Sequence, residues 1–184
     1  MTVEDEQHRG MQDRLIDRFG TGGRAAYGFA GCAAAIGLCG LAAYLVKQPM
    51  LFPSLGPSAL LFFEQPTAPE SSPYNAVVGH LIGIVAGVAA IAVFGLLQAP
   101  SVLEAGVTPA RVGAAALSVA LVALALPPLR ASHPPAGATT LLVSLGLLDQ
   151  PRQLAWIMAG VLLLTTVALA LNRLAGLPVT FRHH

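Results

Sequence analysis

Four stretches of the chain, residues 25–46, 76–97, 108–129 and 153–174, are apolar almost throughout. Each is long enough to cross a hydrocarbon core of about 30 Å, which takes ~20 apolar residues in an α-helix. Inside them only Arg111 and Arg173 are charged, both near ends where a long side chain is expected to snorkel to the interface. Ahead of the first stretch, Met11, Leu15, Ile16 and Phe19 recur at helical spacing against Gln12, Asp13, Arg14, Asp17 and Arg18. That pattern predicts a short amphipathic helix lying in the membrane interface, ended by Gly20, Gly22 and Gly23.

The apolar pattern is interrupted twice in the same way. P-x-x-G-x-[ST]-x-L-L occurs at residues 53–61 (PSLGPSALL) and 134–142 (PPAGATTLL), 81 residues apart (134 less 53). Unpaired backbone groups in hydrocarbon cost several kcal/mol, so broken helix at membrane depth persists only where protein encloses it or it lines a cavity. Adding 81 to the first stretch maps it onto the third, and the second maps onto the fourth once a loop is shortened. Each half therefore reads as a long span, a short broken half-helix and a long span. The organisation is an N-terminal cytoplasmic or interfacial segment (1–24), repeat 1 (25–97), a linker holding Pro100, Ser101 and Gly106 (98–107), repeat 2 (108–174) and a C-terminal tail (175–184).

The predicted fold class is an all-α integral membrane protein with two structural repeats, four long spans and two short broken segments. Five extended residues followed by 11 or 12 helical ones reach roughly 31 to 35 Å. Such a segment crosses completely, which makes six crossings and inverted repeats the favoured arrangement; a re-entrant path would leave four crossings. With the N-terminus inside, both arrangements put seven basic residues inside, Arg9 and Arg182 among them, and three outside. The charge bias thus supports a cytoplasmic N-terminus, with a bacterial inner membrane as the expected location, and does not choose the crossing number.

Composition agrees. Of 184 residues 55% are hydrophobic and only 10% charged, with mean hydropathy +0.69, against about a quarter charged in soluble domains. A formal net charge of +1 gives no reason to expect a nucleic-acid partner. Residues 1–24 lack the apolar core of a cleavable signal. Cys32 and Cys39 share one helix face and read as small hydrophobes rather than a metal or redox pair. Gly79, Gly83 and Gly87 make one smooth face, and Gly28, Gly31, Gly37 and Gly40 another, so close helix contacts are expected there, within or between protomers. A thin bundle of 18.9 kDa predicts a homo-oligomer, most simply a dimer. Trp156 and Tyr74 read as interfacial anchors, and His8, His183 and His184 as solvated terminal groups.

The chemistry concentrates at the two breaks. With Pro53 and Pro134 as N-caps, helices would begin at Ser54 and Pro135, and Pro57 and Pro135 are tolerated in a first turn whose N–H groups lack intrahelical partners. The expected free donors are the N–H groups of Ser54, Leu55 and Gly56 in one copy and of Ala136, Gly137 and Ala138 in the other. Together with the half positive charge of a helix N-terminus they would suit a small anion. Ser58, Thr139 and Thr140 add hydroxyls, which could equally bond back to the preceding turn. His133 joins the substrate-binding set, while His80 is a candidate for gating or proton coupling together with Asn75, which also reads as a helix cap. No lysine or arginine is expected to be buried near the motifs, so dipoles rather than full charges would select.

The second break, Ser132-His133-Pro134-Pro135-Ala136-Gly137-Ala138-Thr139-Thr140, resembles the signature of the HPP family of small integral membrane proteins. The resemblance extends to FPSLGPSALLFF at 52–63, to Pro73 and Asn75 with Gly79-His80, and to Asn172-Arg173. It implies a multi-span transporter, with plant and cyanobacterial members linked to nitrite. Where the family usually has an arginine between the proline and the asparagine, Tyr74 stands. The expected function is passage of a small anion such as nitrite, without catalytic residues, cofactor or metal. The alternative is a membrane-embedded metal-binding protein or enzyme using His80 and His133, which would need a third ligand. Outside the N-terminal segment the only carboxylates are Glu64, Glu70, Glu104 and Asp149.

Overall fold

The computed structural model describes residues 10–148 and 150–181; Asp149 and the terminal residues His8, Arg9, Arg182, His183 and His184 lie outside the described residues. Among the described residues the chain is all-helical, with eight α-helices and no strands. We number them α1 (Met11–Phe19), α2 (Thr21–Val46), α3 (Leu55–Glu64), α4 (Pro73–Val93), α5 (Val102–Ala105), α6 (Pro109–Ala125), α7 (Ala136–Ser144) and α8 (Pro151–Leu174). A 3-10 turn, Pro69–Ser71, precedes α4. Three helices, α2, α4 and α8, are long and apolar enough to cross a membrane, and the protein is an integral membrane protein.

The boundaries differ from the sequence expectation for local reasons. Gly20 alone separates α1 from α2, at a backbone φ of 57° that favours glycine, and Gly22 and Gly23 lie inside α2. A side chain at Gly23 would collide with the backbone of Leu15, so Gly23 lets the two helices fold tightly back on each other, while nothing approaches Gly22. Helix α4 begins at Pro73, capped by the Ser72 hydroxyl accepting from the Asn75 N–H at 3.3 Å. Asn75 is therefore not the cap. The third apolar stretch yields only the 17 residues of α6, because the Pro127-Pro128 pair that follows has no N–H to continue a helix. It is the shortest of the four expected spans.

α3 and α7, ten and nine residues long, start after the two breaks as anticipated, one residue later than expected, with Ser54 and Pro135 in the cap positions. Each runs back along the long helix before it. Glu64, the last residue of α3, lies beside Arg24 in the first turn of α2, and Ser144, the last of α7, beside Arg111 in the first turn of α6. α7 packs into the smooth face of α4: side chains at Gly79, Gly83 and Gly87 would meet His133, the Ala136 carbonyl and Val143 respectively. That glycine face serves a contact within one protomer. On α2, Gly31 and Gly40 receive Phe63 and Leu51, while nothing approaches Gly37.

Polar side chains complete the bundle. Tyr27 of α2 donates to the Asn172 Oδ1 of α8 at 2.6 Å, and the Asn172 amide donates to the Phe62 carbonyl of α3 at 2.9 Å. In α1, Gln12 is buried and donates to the Phe63 carbonyl, while Met11, Ile16 and Phe19 are exposed. Cys32 and Cys39 are free thiols in the cluster of apolar side chains between α2, α3 and α8.

Candidate functional site

Four polar side chains, three from the two breaks and His80 from α4, meet where α3, α4 and α7 cross. Ser58 of α3 stands between two imidazoles, its Oγ 3.0 Å from Nε2 of His80 and 3.2 Å from Nε2 of His133. His80 lies two turns into α4, and its Nδ1 is 2.6 Å from the Thr139 hydroxyl of α7. His133, just before α7, has its Nδ1 2.8 Å from the backbone carbonyl of Glu70. The rings are 5.1 Å apart, edge to face, and Phe62 flanks His133. All four residues are at most 1% exposed.

The hydrogen-bond chemistry orders this cluster. A carbonyl only accepts, so the His133 Nδ1 carries a proton and donates to Glu70. With both rings neutral, His133 Nε2 then accepts from the Ser58 hydroxyl, His80 Nε2–H donates to Ser58, and the Thr139 hydroxyl donates to His80 Nδ1. A single polarised chain results, from α7 through α4 and α3 to the turn before α4. The Ser58 hydroxyl has a second acceptor, the Ser54 carbonyl at 3.2 Å, and can turn to it without any heavy atom moving.

Other expected site residues behave differently. The N–H groups foreseen as free donors are mostly taken. Leu55 and Gly56 donate to the carbonyls of Phe52 and Pro53, and Ala136, Gly137 and Ala138 to those of His133, Pro134 and Pro135, at 2.9 to 3.3 Å. The residues ahead of each helix already adopt helical dihedrals, as at Ser54 and Pro135, so a tight turn consumes these donors. Pro53 and Pro134 thus supply carbonyl acceptors instead of acting as caps. Pro57 sits in the first turn of α3, exposed, where no N–H is missed. Among the expected site residues, the buried hydroxyls of Ser54 and Thr140, one from each motif copy, have no hydrogen-bond partner. Asn75 bridges the two halves: its amide donates to the carbonyls of Pro69 and Ser132, at 3.0 and 3.1 Å.

A cleft of about 270 Å³ lies between α6 and the start of α7, lined by Val122, Leu126, Ser132, His133 and Gly137. His133 is the member of the cluster that borders it. A side chain on Gly137 would meet nothing within 4 Å, and the same holds for Gly56, its counterpart in the first motif copy. These two glycines face open space; close packing does not account for them.

Arg111 was expected to snorkel and does the opposite. It is 2% exposed, and its guanidinium donates to the carbonyls of Ser144, Ala99 and Pro100 at 2.8 to 3.1 Å. A cation thus sits at the C-terminus of α7, where the dipole favours it, and a buried charge does lie near the motifs. Its signal in the sequence was an arginine three residues into an apolar stretch, where a partner should have been sought. Tyr27 and the Glu70 carbonyl carried no comparable signal. Among the described residues, no group of three or more metal-ligating side chains comes together, so His80 and His133 have no third ligand there.

No curated protein matches the chain, and no solved structure does. The family description "HPP, transmembrane region" matches residues 20–179, which include both motif copies, the His80–Ser58–His133 cluster and every long helix. The chain belongs to the HPP transmembrane family.

Proposed function

We propose that the protein is a transporter or channel for a small inorganic anion, with nitrite the first to test, whose path passes the Ser58, His80, His133 and Thr139 cluster. The supporting observation is that side chains separated by up to 81 residues (139 less 58), from both motif copies, converge on one buried hydrogen-bonded point. Membership of a membrane family with broken helices favours transport over catalysis. In place of the backbone donors, the unpartnered hydroxyls of Ser54 and Thr140 are the donors the anion would take, since buried hydroxyls without partners call for an occupant. The aligned peptides of α3 and α7 still present positive ends towards it.

The inverted six-crossing arrangement belongs to the same reading. It is supported by Glu64 returning to Arg24 and Ser144 to Arg111, so that each broken segment ends at the level where the preceding long helix began. Proton coupling would use His133, which borders the cleft and is joined to His80 through Ser58. A homodimer and a cytoplasmic N-terminus complete the proposal.

The test is flux into proteoliposomes for nitrite, nitrate, formate and chloride, with and without a pH gradient, alongside Gly137→Leu. A leucine there has room in the fold and fills the cleft beside His133. Nitrite uptake that Gly137→Leu abolishes supports the path. Absence of flux for every anion, in protein whose melting is intact, overturns the proposal.

A further inference from the structure

A groove of about 710 Å³ lies away from this cluster, between α2 and α3. Gly28 and Cys32 line it together with Phe29 and Leu60, which are 79% and 50% exposed. It runs from Thr21 to Ile36 along a membrane-spanning helix, about 22 Å at 1.5 Å per residue. At its mouth are two exposed groups of opposite charge. Arg24 uses one N–H on the Glu64 carbonyl, at 2.9 Å. The Glu64 carboxylate has no hydrogen-bond or ion-pair partner among the described residues. Beside Gly28 only the Glu64 Cγ, at 3.9 Å, comes near the position of a side chain.

We infer that this groove binds one acyl chain of a zwitterionic glycerophospholipid bearing a primary ammonium, as in phosphatidylethanolamine. The length and apolar lining suit an acyl chain in a helix surface that faces hydrocarbon. The paired charges choose the headgroup: the phosphate meets the remaining N–H donors of Arg24, and the ammonium donates to the Glu64 carboxylate. A phosphatidylglycerol headgroup would satisfy the arginine and leave the carboxylate facing a like charge. A phosphatidylcholine headgroup would bring a cation with no N–H to donate. The site is independent of the transport proposal, since none of its residues touches the histidine cluster.

The test is native mass spectrometry of the detergent-solubilised protein with an equimolar mixture of the ethanolamine, glycerol and choline lipids with matched chains. Retention of the ethanolamine lipid about fivefold over the glycerol lipid is expected, as one interfacial charge contributes about 1 kcal/mol. Glu64→Gln should erase that preference, Arg24→Gln should lower retention of both, and Gly28→Leu should expel lipid by filling the groove. Equal retention of the three lipids, or a preference for the glycerol lipid in the wild type, overturns the inference. So does a lipid-free wild-type dimer that Gly28→Leu converts to monomer, because the occupant would then be a second copy of the chain.

Discussion

The two short helices α3 and α7 share one motif and one mode of fastening, yet they are fastened in different surroundings. In each, an arginine from the first turn of the preceding helix donates to the carbonyl of the short helix's last residue: Arg24 to Glu64 and Arg111 to Ser144. Arg24 makes that single side-chain bond at an exposed position. Arg111 is buried, reaches two further carbonyls in the linker, and lies beside a hydroxyl pair, Ser118 donating to Ser144 at 3.2 Å. The segment after α4 reaches the second clamp through the Ala99 and Pro100 carbonyls in part-buried bonds, while the bond to Ser144 is buried, so removing that cation leaves a buried acceptor and two half-covered ones without their donor. Nothing comparable covers the first. The same bond to a helix end is thus a surface contact at α3 and part of the core at α7, and its energetic weight follows the burial.

Arg111→Met should therefore give the largest loss of any single change considered, about 3 kcal/mol or more, seen as a lowered melting temperature in detergent. Arg111→Lys should recover little, because one ammonium cannot reach three carbonyls as a planar fork does. Wild-type melting of Arg111→Met would mean that the linker is not held by this side chain. A pair of glycine changes comes next. Gly83→Val pushes a side chain into the Ala136 carbonyl and should cost about 1–3 kcal/mol, whereas Gly137→Val opens into the cleft and should stay within about 0.5 kcal/mol. Similar losses for both would contradict the distinction between packed and open glycines. Ser58→Ala removes the hydroxyl between the imidazoles and should cost about 1 kcal/mol while abolishing any flux, a combination a purely structural serine would not produce. Arg24→Gln ranks last. Its melting curve should overlay the wild type, and a loss matching that of Arg111→Met would remove the contrast between the clamps.

Much of the architecture was legible in the chain. The apolar stretches are helices because a helix satisfies its own backbone in lipid, and the repeated Pro/Gly motif marks the starts of α3 and α7 to within a residue. The choice of Ser58, His80, His133 and Thr139 as polar residues at depth also rested on sequence, and the fold joins them. The free backbone donors did not follow, because a motif specifies where a helix begins and not how the preceding turn closes. Here that turn closes on itself, and the hydroxyls of Ser54 and Thr140 are the expected site groups that have no partner. Asn75 and Arg111 show the same division. Their types announced a polar role, but their partners lie on segments distant in sequence, Ser132 for one and Ser144 for the other.

Composition and periodicity determined by themselves that this is a membrane protein of apolar helices interrupted twice in the same pattern, since both depend on local backbone satisfaction and on what lipid can solvate. Only the tertiary structure decided which polar groups meet. Meeting depends on the depth and direction at which α3 and α7 cross α4, and these are set by the close approach at Gly79, Gly83 and Gly87 and by the arginines that hold the half-helix ends.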